Sequence, residues 1–180
     1  MKFREPDYTD SRAHFSACNR FRYSLTRAWD RTKPRVCFIM LNPSTADAVK
    51  LDPTLRRCVG FAMRWGCGSM EVVNLFALRA TDPACLYVSD VRGDDLQNDC
   101  SIIRASSSAD FGTIAAWGVH GAYHNRGIGI ACLLSIIDKG FHGDSIMCLR
   151  LTKDRHPAHP LYLPADLTPI PFFARERKPR

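Results

Sequence analysis

Residues 35–41 read Arg35-Val36-Cys37-Phe38-Ile39-Met40-Leu41, and Asn42-Pro43-Ser44-Thr45-Ala46-Asp47 follow at once. An apolar, β-branched run this short, closed by a turn signal, reads as a strand buried on both faces. Such strands belong to open α/β sheets, whose sites lie outside the carboxyl ends of the strands. The pattern recurs at residues 70–76, 112–118 and 145–151. Between these runs lie segments of helical period. Asp52-Pro53 reads as an N-cap with proline at the first helical position. Leu55, Cys58, Val59, Ala62 and Met63 then recur at helical spacing, and Gly66 ends the segment. Residues 96–108 and 126–139 read as two further helices. Strands alternating with helices predict an α/β fold, a three-layer sandwich with a mainly parallel central sheet.

The remaining segments are less regular. Residues 1–20 read as polar and irregular. Phe21 to Trp29 alternate like a half-buried strand, with Phe21, Tyr23, Leu25 and Arg27 on one face. Residues 83–95 read as a loop. Pro157, Pro160, Pro164, Pro169 and Pro171 exclude a helix from the C-terminal region, and the basic segment 172–180 reads as frayed. With 180 residues and 46% hydrophobic content, the chain is read as one domain spanning 1–180, without linker or repeat.

No run of eighteen apolar residues exists, so no membrane partner is expected. The N-terminus lacks the apolar segment of a secretory signal. Of the eight cysteines, Cys37, Cys132 and Cys148 sit in apolar runs, and all are read as reduced thiols of a cytoplasmic protein. No Cys-x-x-Cys pair is present, and neither a metal ion nor a cofactor is expected. The formal charge of +7 favours a polyanionic partner, a nucleotide or DNA, over a basic one.

Three strand ends carry candidate chemistry. Asn42 precedes a proline, which holds it extended, and its amide offers both a donor and an acceptor. The same residues could form only an Asx turn. Pro43, Ser44, Thr45 and Asp47 complete this loop as candidate substrate contacts. Asp52 is a second acidic candidate, read first as the helix cap. Asn74 ends the second buried run, with Phe76 just beyond, and Trp117-Gly118-Val119-His120 ends the third. A late loop then brings Lys153, Arg155, His156 and His159 among stiffening prolines. Imidazole titrates near neutrality and can donate to developing negative charge. The alternative is a rigid strap with incidental histidines.

Several blocks resemble the bacterial family called domain of unknown function 1643. They are Phe21-Arg22-Tyr23, Leu41 to Asp47, Asp52-Pro53-Thr54, Val73 to Ala77, Ala80 to Pro83, Asn98-Asp99, Ala116-Trp117-Gly118 and His159 to Leu163. That family name implies no activity. A more distant similarity is to the uracil-DNA glycosylase superfamily. It rests on Asn42-Pro43-Ser44, Asn74, Trp117-Gly118 and either His156-Pro157-Ala158 or His159-Pro160-Leu161.

This second similarity implies roles. Asn42 would position the attacking water, Asn74 would read a base edge, and His156 or His159 would stabilise the departing base. Phe76 would stack on that base. The first motif lacks the Asp that activates water in the most active uracil enzymes, and Ser44-Thr45 replace their base-excluding aromatic. The expected function is therefore an enzyme acting on a nucleobase or nucleotide-like substrate by N-glycosidic bond hydrolysis. The alternatives are a non-catalytic nucleic-acid or nucleotide binding module and a hydrolase of a small nucleotide-derived metabolite. One pocket joining Asn42, Ser44, Asn74, Trp117, His156 and His159 is expected.

Overall fold

The computed structural model describes residues 4–44, 51–90, 92–137 and 146–173. Its seven strands are β1 (Asp10–Phe15), β2 (Arg22–Ala28), β3 (Arg35–Met40), β4 (Ser69–Asn74), β5 (Gly112–Ala115), β6 (Ile146–Cys148) and β7 (Ile170–Pro171). They form one sheet in the order β1-β2-β4-β3-β5-β6-β7. The helices are α1 (Pro53–Arg64), α2 (Cys85–Val88), α3 (Leu96–Ser107) and α4 (Arg126–Ile137). Among the described residues, no helix is long and apolar enough to cross a membrane.

The sheet is mixed, which corrects the expectation of a mainly parallel one. Parallel ladders join β4 to β3, β3 to β5 and β5 to β6. Antiparallel ladders join β1 to β2, β2 to β4 and β6 to β7. Parallel pairing needs a crossover, and α1, α3 and α4 provide it in the centre. The outer strands return without one. β1 and β2 form a hairpin closed near Asn19, which takes a left-handed φ of 58°.

Alternation along β3 explains why it is apolar throughout. Val36, Phe38 and Met40 enter a core with Leu55, Cys58, Val59, Phe61 and Ala62 of α1. Cys37 and Ile39 enter a second core with Ile102 of α3 and Ile130, Ala131 and Leu134 of α4. Helices thus cover both faces of the sheet's centre. Trp65, just past α1, stacks on Phe38, Phe61 and Phe111.

Other expectations are corrected. Residues 1–20 are not irregular throughout, because Asp10–Phe15 form an edge strand whose charged side chains suit an unpaired edge. β2 is buried on nearly every position rather than on one face: Arg22 is 2% and Arg27 0% exposed. The loop at 83–95 contains the single turn of α2. β5 stops at Ala115, short of Gly118. Cys132 is exposed despite its apolar neighbours. The proline-rich region does hold one 3-10 turn, Pro160–Tyr162. Phe172, assigned to the frayed tail, packs edge-on against Trp117 at 5.6 Å.

That C-terminal region is a strap laid across α1. Arg57 donates to the Leu163 carbonyl, Arg64 to that of Ala165, and Trp65 Nε1 to that of Leu167 at 3.0 Å. The cationic and indole donors of the helix thereby satisfy carbonyls of a segment with almost no ladder of its own.

Candidate functional site

In an open sheet the ligand crevice opens where successive crossovers leave in opposite directions. Here β4 lies on one side of β3 and β5 on the other, so that point falls between the carboxyl ends of β3 and β5. A cleft of about 460 Å³ opens there. Asn42, Ser44, Asn74, Trp117, Gly118, His120 and His159 all line it.

Each side chain is held by its local structure. Asn42 follows β3, and its Nδ2 donates to the Ala80 carbonyl at 2.8 Å, leaving Oδ1 as its remaining hydrogen-bonding atom. Asn74 is the last residue of β4 and 1% exposed. Its Oδ1 is buried and lacks a hydrogen-bond partner among the described residues. An orphaned acceptor of this kind is unfavourable by about 1–3 kcal/mol and is rare in native folds.

The backbone at Asn74 is fixed from behind. Asn98 Nδ2 donates to the carbonyls of Asn74 and Leu75, at 3.0 and 3.1 Å. Arg126 Nε donates to Leu75 O at 3.0 Å and its guanidinium pairs with Asp99. Asn98 is itself placed by the cap of α3, where its N–H donates to Asp95 Oδ1 at 3.0 Å.

His159 enters from the strap. Its Nδ1 accepts from the Leu161 N–H at 3.4 Å, which keeps the ring proton of the neutral form on Nε2. Burial pushes its pKa below the ordinary histidine value, and the Asp52 carboxylate opposes that shift. The ring is therefore a neutral N–H donor at physiological pH. His120 meets the Tyr87 hydroxyl through Nδ1 at 2.6 Å.

Two further charged residues stand in the lining: Arg22, which the sequence reading did not place at the site, and Asp52, its second acidic candidate. Arg22 presents a buried guanidinium whose pKa burial lowers to about 10, opposed by Asp52. Asp52 caps α1, with Oδ1 accepting from Leu55 N at 2.7 Å, yet Oδ2 accepts from Ser44 Oγ at 2.5 Å. The capping reading was right and incomplete. The signal available for Arg22 was its place in the Phe21-Arg22-Tyr23 block, because the alternation put it on the face opposite Phe21 and Tyr23.

Other expected contacts fall elsewhere. His156 does not line the cleft; it closes a tight turn in which Thr152 N donates to His156 O at 2.8 Å and His156 N donates to Thr152 Oγ1 at 3.1 Å. Lys153 is exposed on that turn. Phe76 is 0% exposed beneath Tyr123, so it is core rather than a stacking surface. The Pro43 carbonyl is used internally, by Ala80 N at 2.9 Å. Thr45 and Asp47 lie outside the described residues. His120 and His124 stand at a metal-pair spacing passed over in the sequence. Non-helical backbone at Tyr123 and His124 breaks their segment, and no group of three metal-ligating side chains gathers among the described residues.

Residues 22–161 match the family model described as Protein of unknown function (DUF1643). The chain belongs to that family. No curated protein and no solved structure gave a match. The region shared with DUF1643 begins at Arg22 and ends at Leu161, so it takes in every cleft residue named above.

Proposed function

We propose that this cleft binds a nucleobase or nucleotide-like ligand and hydrolyses an N-glycosidic bond. One observation carries the reading: Asn42, Asn74 and His159, from three separate segments, converge on one recess, and the Asn74 amide oxygen there is buried without a partner. A ligand N–H, as on the edge of a heterocyclic base, would satisfy it. The four parallel strands, with helices on both faces, support the distant glycosylase likeness at the level of architecture.

The chemistry follows from the groups present. In the reaction the bond from the sugar C1′ to the base nitrogen breaks, and its electron pair leaves with the base. A water oxygen bonds to C1′, and the water's proton passes to the departing base. Asn42 Oδ1, with its Nδ2 anchored, can accept from that water and orient it. The His159 Nε2–H can donate to the negative charge growing on the base. Asp52 supplies negative charge where the sugar becomes positive.

The binding-module reading also has an observation behind it. Among the described residues, Asp52 is the acidic side chain of the cleft lining, and both its oxygens already accept hydrogen bonds. The test is product analysis with free nucleosides, nucleotides and base-modified DNA, using wild type, Asn42→Ala and His159→Ala. Released base in wild type and none in folded variants supports hydrolysis. Ligand affinity with no release in wild type supports the binding module.

A further inference from the structure

A second and larger recess, about 680 Å³, lies at the opposite end of the parallel strands. Its lining includes Arg35 and Ser69, the first residues of β3 and β4. The glycosidic reading makes no use of it. Five cations border it: Arg12 on β1, Arg31 and Lys33 in the β2–β3 loop, Arg35, and Arg104 on α3. The floor is small and polar, with Ser24 and Thr26 of β2.

Four of the cations are held in two separate groups, and Lys33 pairs with Asp30 at 3.0 Å. Arg12 and Arg31 share the Asp10 carboxylate, each at 2.9 Å. Arg35 and Arg104 share Glu71, at 2.9 and 3.0 Å. Glu71 is only 2% exposed, whereas the Arg12 and Arg31 side chains are 73% and 66% exposed. Each carboxylate therefore fixes two guanidiniums while leaving most of their five N–H donors unused. A site for one small anion would converge donors on a single point. This trough sets two charged clusters apart over a floor without bulk, which suits repeated charges along a chain.

We propose that this trough binds the phosphate backbone of a single-stranded nucleic acid. Guanidinium pairs recognise phosphates by paired N–H donors, and the hydroxyl floor lets the backbone lie close. The site is independent of the cleft and of its chemistry.

The test is fluorescence anisotropy with a fluorescein-labelled oligothymidylate at several salt concentrations. Binding should weaken with salt by about 0.7 log units per log unit for each phosphate contacted. The double variant R12E/R31E should bind at least about tenfold more weakly, and so should Lys33→Glu in that background. All three positions are exposed, so melting temperature should hold. K153E/R155E, at the late turn, should bind as wild type. Binding that is flat with salt, unchanged in R12E/R31E, or lost in K153E/R155E would overturn the proposal. Inorganic phosphate competing as well as the oligonucleotide at equal phosphate concentration would also overturn it, by showing a small-anion site. Tighter binding of an acidic peptide than of the oligonucleotide would do the same.

Discussion

The Gly118 amide donates to the Pro157 carbonyl at 2.9 Å, fastening the segment that follows β5 to the loop that carries His159 two residues later. Gly118 holds φ 72° and ψ −169°, a conformation open in practice only to glycine. A Cβ there would stand 3.6 Å from the His159 Cβ, an ordinary contact. Gly118→Ala should therefore destabilise through backbone strain rather than clash, by about 1–3 kcal/mol. Its turnover should fall further than its melting temperature suggests, because the strain is relieved by moving the histidine loop. Thermal melts read beside kinetics would check this.

Under the proposed function, Asn74 sets stability against ligand binding. Replacing a buried acceptor that has no partner by an apolar group of similar size removes an unfavourable term. Asn74→Leu should leave the melting temperature unchanged or raise it, while ligand binding is lost. A strongly destabilised Asn74→Leu would mean that the amide is structural.

Asp52 caps α1, and one substitution can separate that role from the one proposed for it in the cleft. Asn keeps a side-chain oxygen for the Leu55 N–H and caps almost as well as Asp, whereas Ala loses about 1 kcal/mol. Asp52→Asn should thus stay folded yet remove the negative charge beside Arg22 and His159. Turnover in Asp52→Asn near wild type would assign Asp52 to the cap alone.

The depressed pKa of His159 carries a sign. The unfolded imidazole titrates near 6.5 and the folded one lower, so between those values the unfolded chain binds more protons. This contribution to stability is complete above about pH 6.5 and is lost as pH falls through that window toward the folded pKa. His159→Gln should flatten the pH dependence of the melting temperature in the same range. An unchanged slope would show that the ring is solvated.

How much of this was legible depends on how local the signal is. Asp52-Pro53 capped its helix as read, because a cap is satisfied within three residues. Asn42, Asn74 and Trp117-Gly118 share a sheet edge because each immediately follows a strand core, and order along the chain determines which end of a parallel sheet a residue occupies. The histidine was ambiguous for the opposite reason. His156 and His159 have the same proline context, and only the bridge between Leu151 and Pro157 decides which one turns away. Phe76 looked available beside Asn74, but Tyr123 covers it from a segment 47 residues on, a contact no local pattern announces. β1 was illegible because an edge strand needs little hydrophobic alternation to hold its ladder.

Thiol chemistry gives a direct check on the two cores. Burial raises the Cys37 thiol to about 12 and raises Cys58 as well. Cys18, Cys85, Cys100 and Cys132 are exposed, while Cys37, Cys58, Cys67 and Cys148 are buried. A disulfide reagent should titrate four thiols in the native protein and eight after denaturation. Rapid reaction of a fifth in native buffer would mean that one of the cores opens.

The strap over α1 also sets an order of events during synthesis. Its three anchors join residues separated by 106, 101 and 102 positions, so they form only after the sheet's central strands have been made. A chain emerging from its N-terminus can assemble β1 to β5 with α1 and α3 while the segment bearing His159 is still inside the ribosome. The recess then exists without its imidazole, and a segment made later than the central strands is the part that completes it. A partly made molecule would hold the amides and lack the imidazole, so the cleft gains its full lining only after the central strands are made.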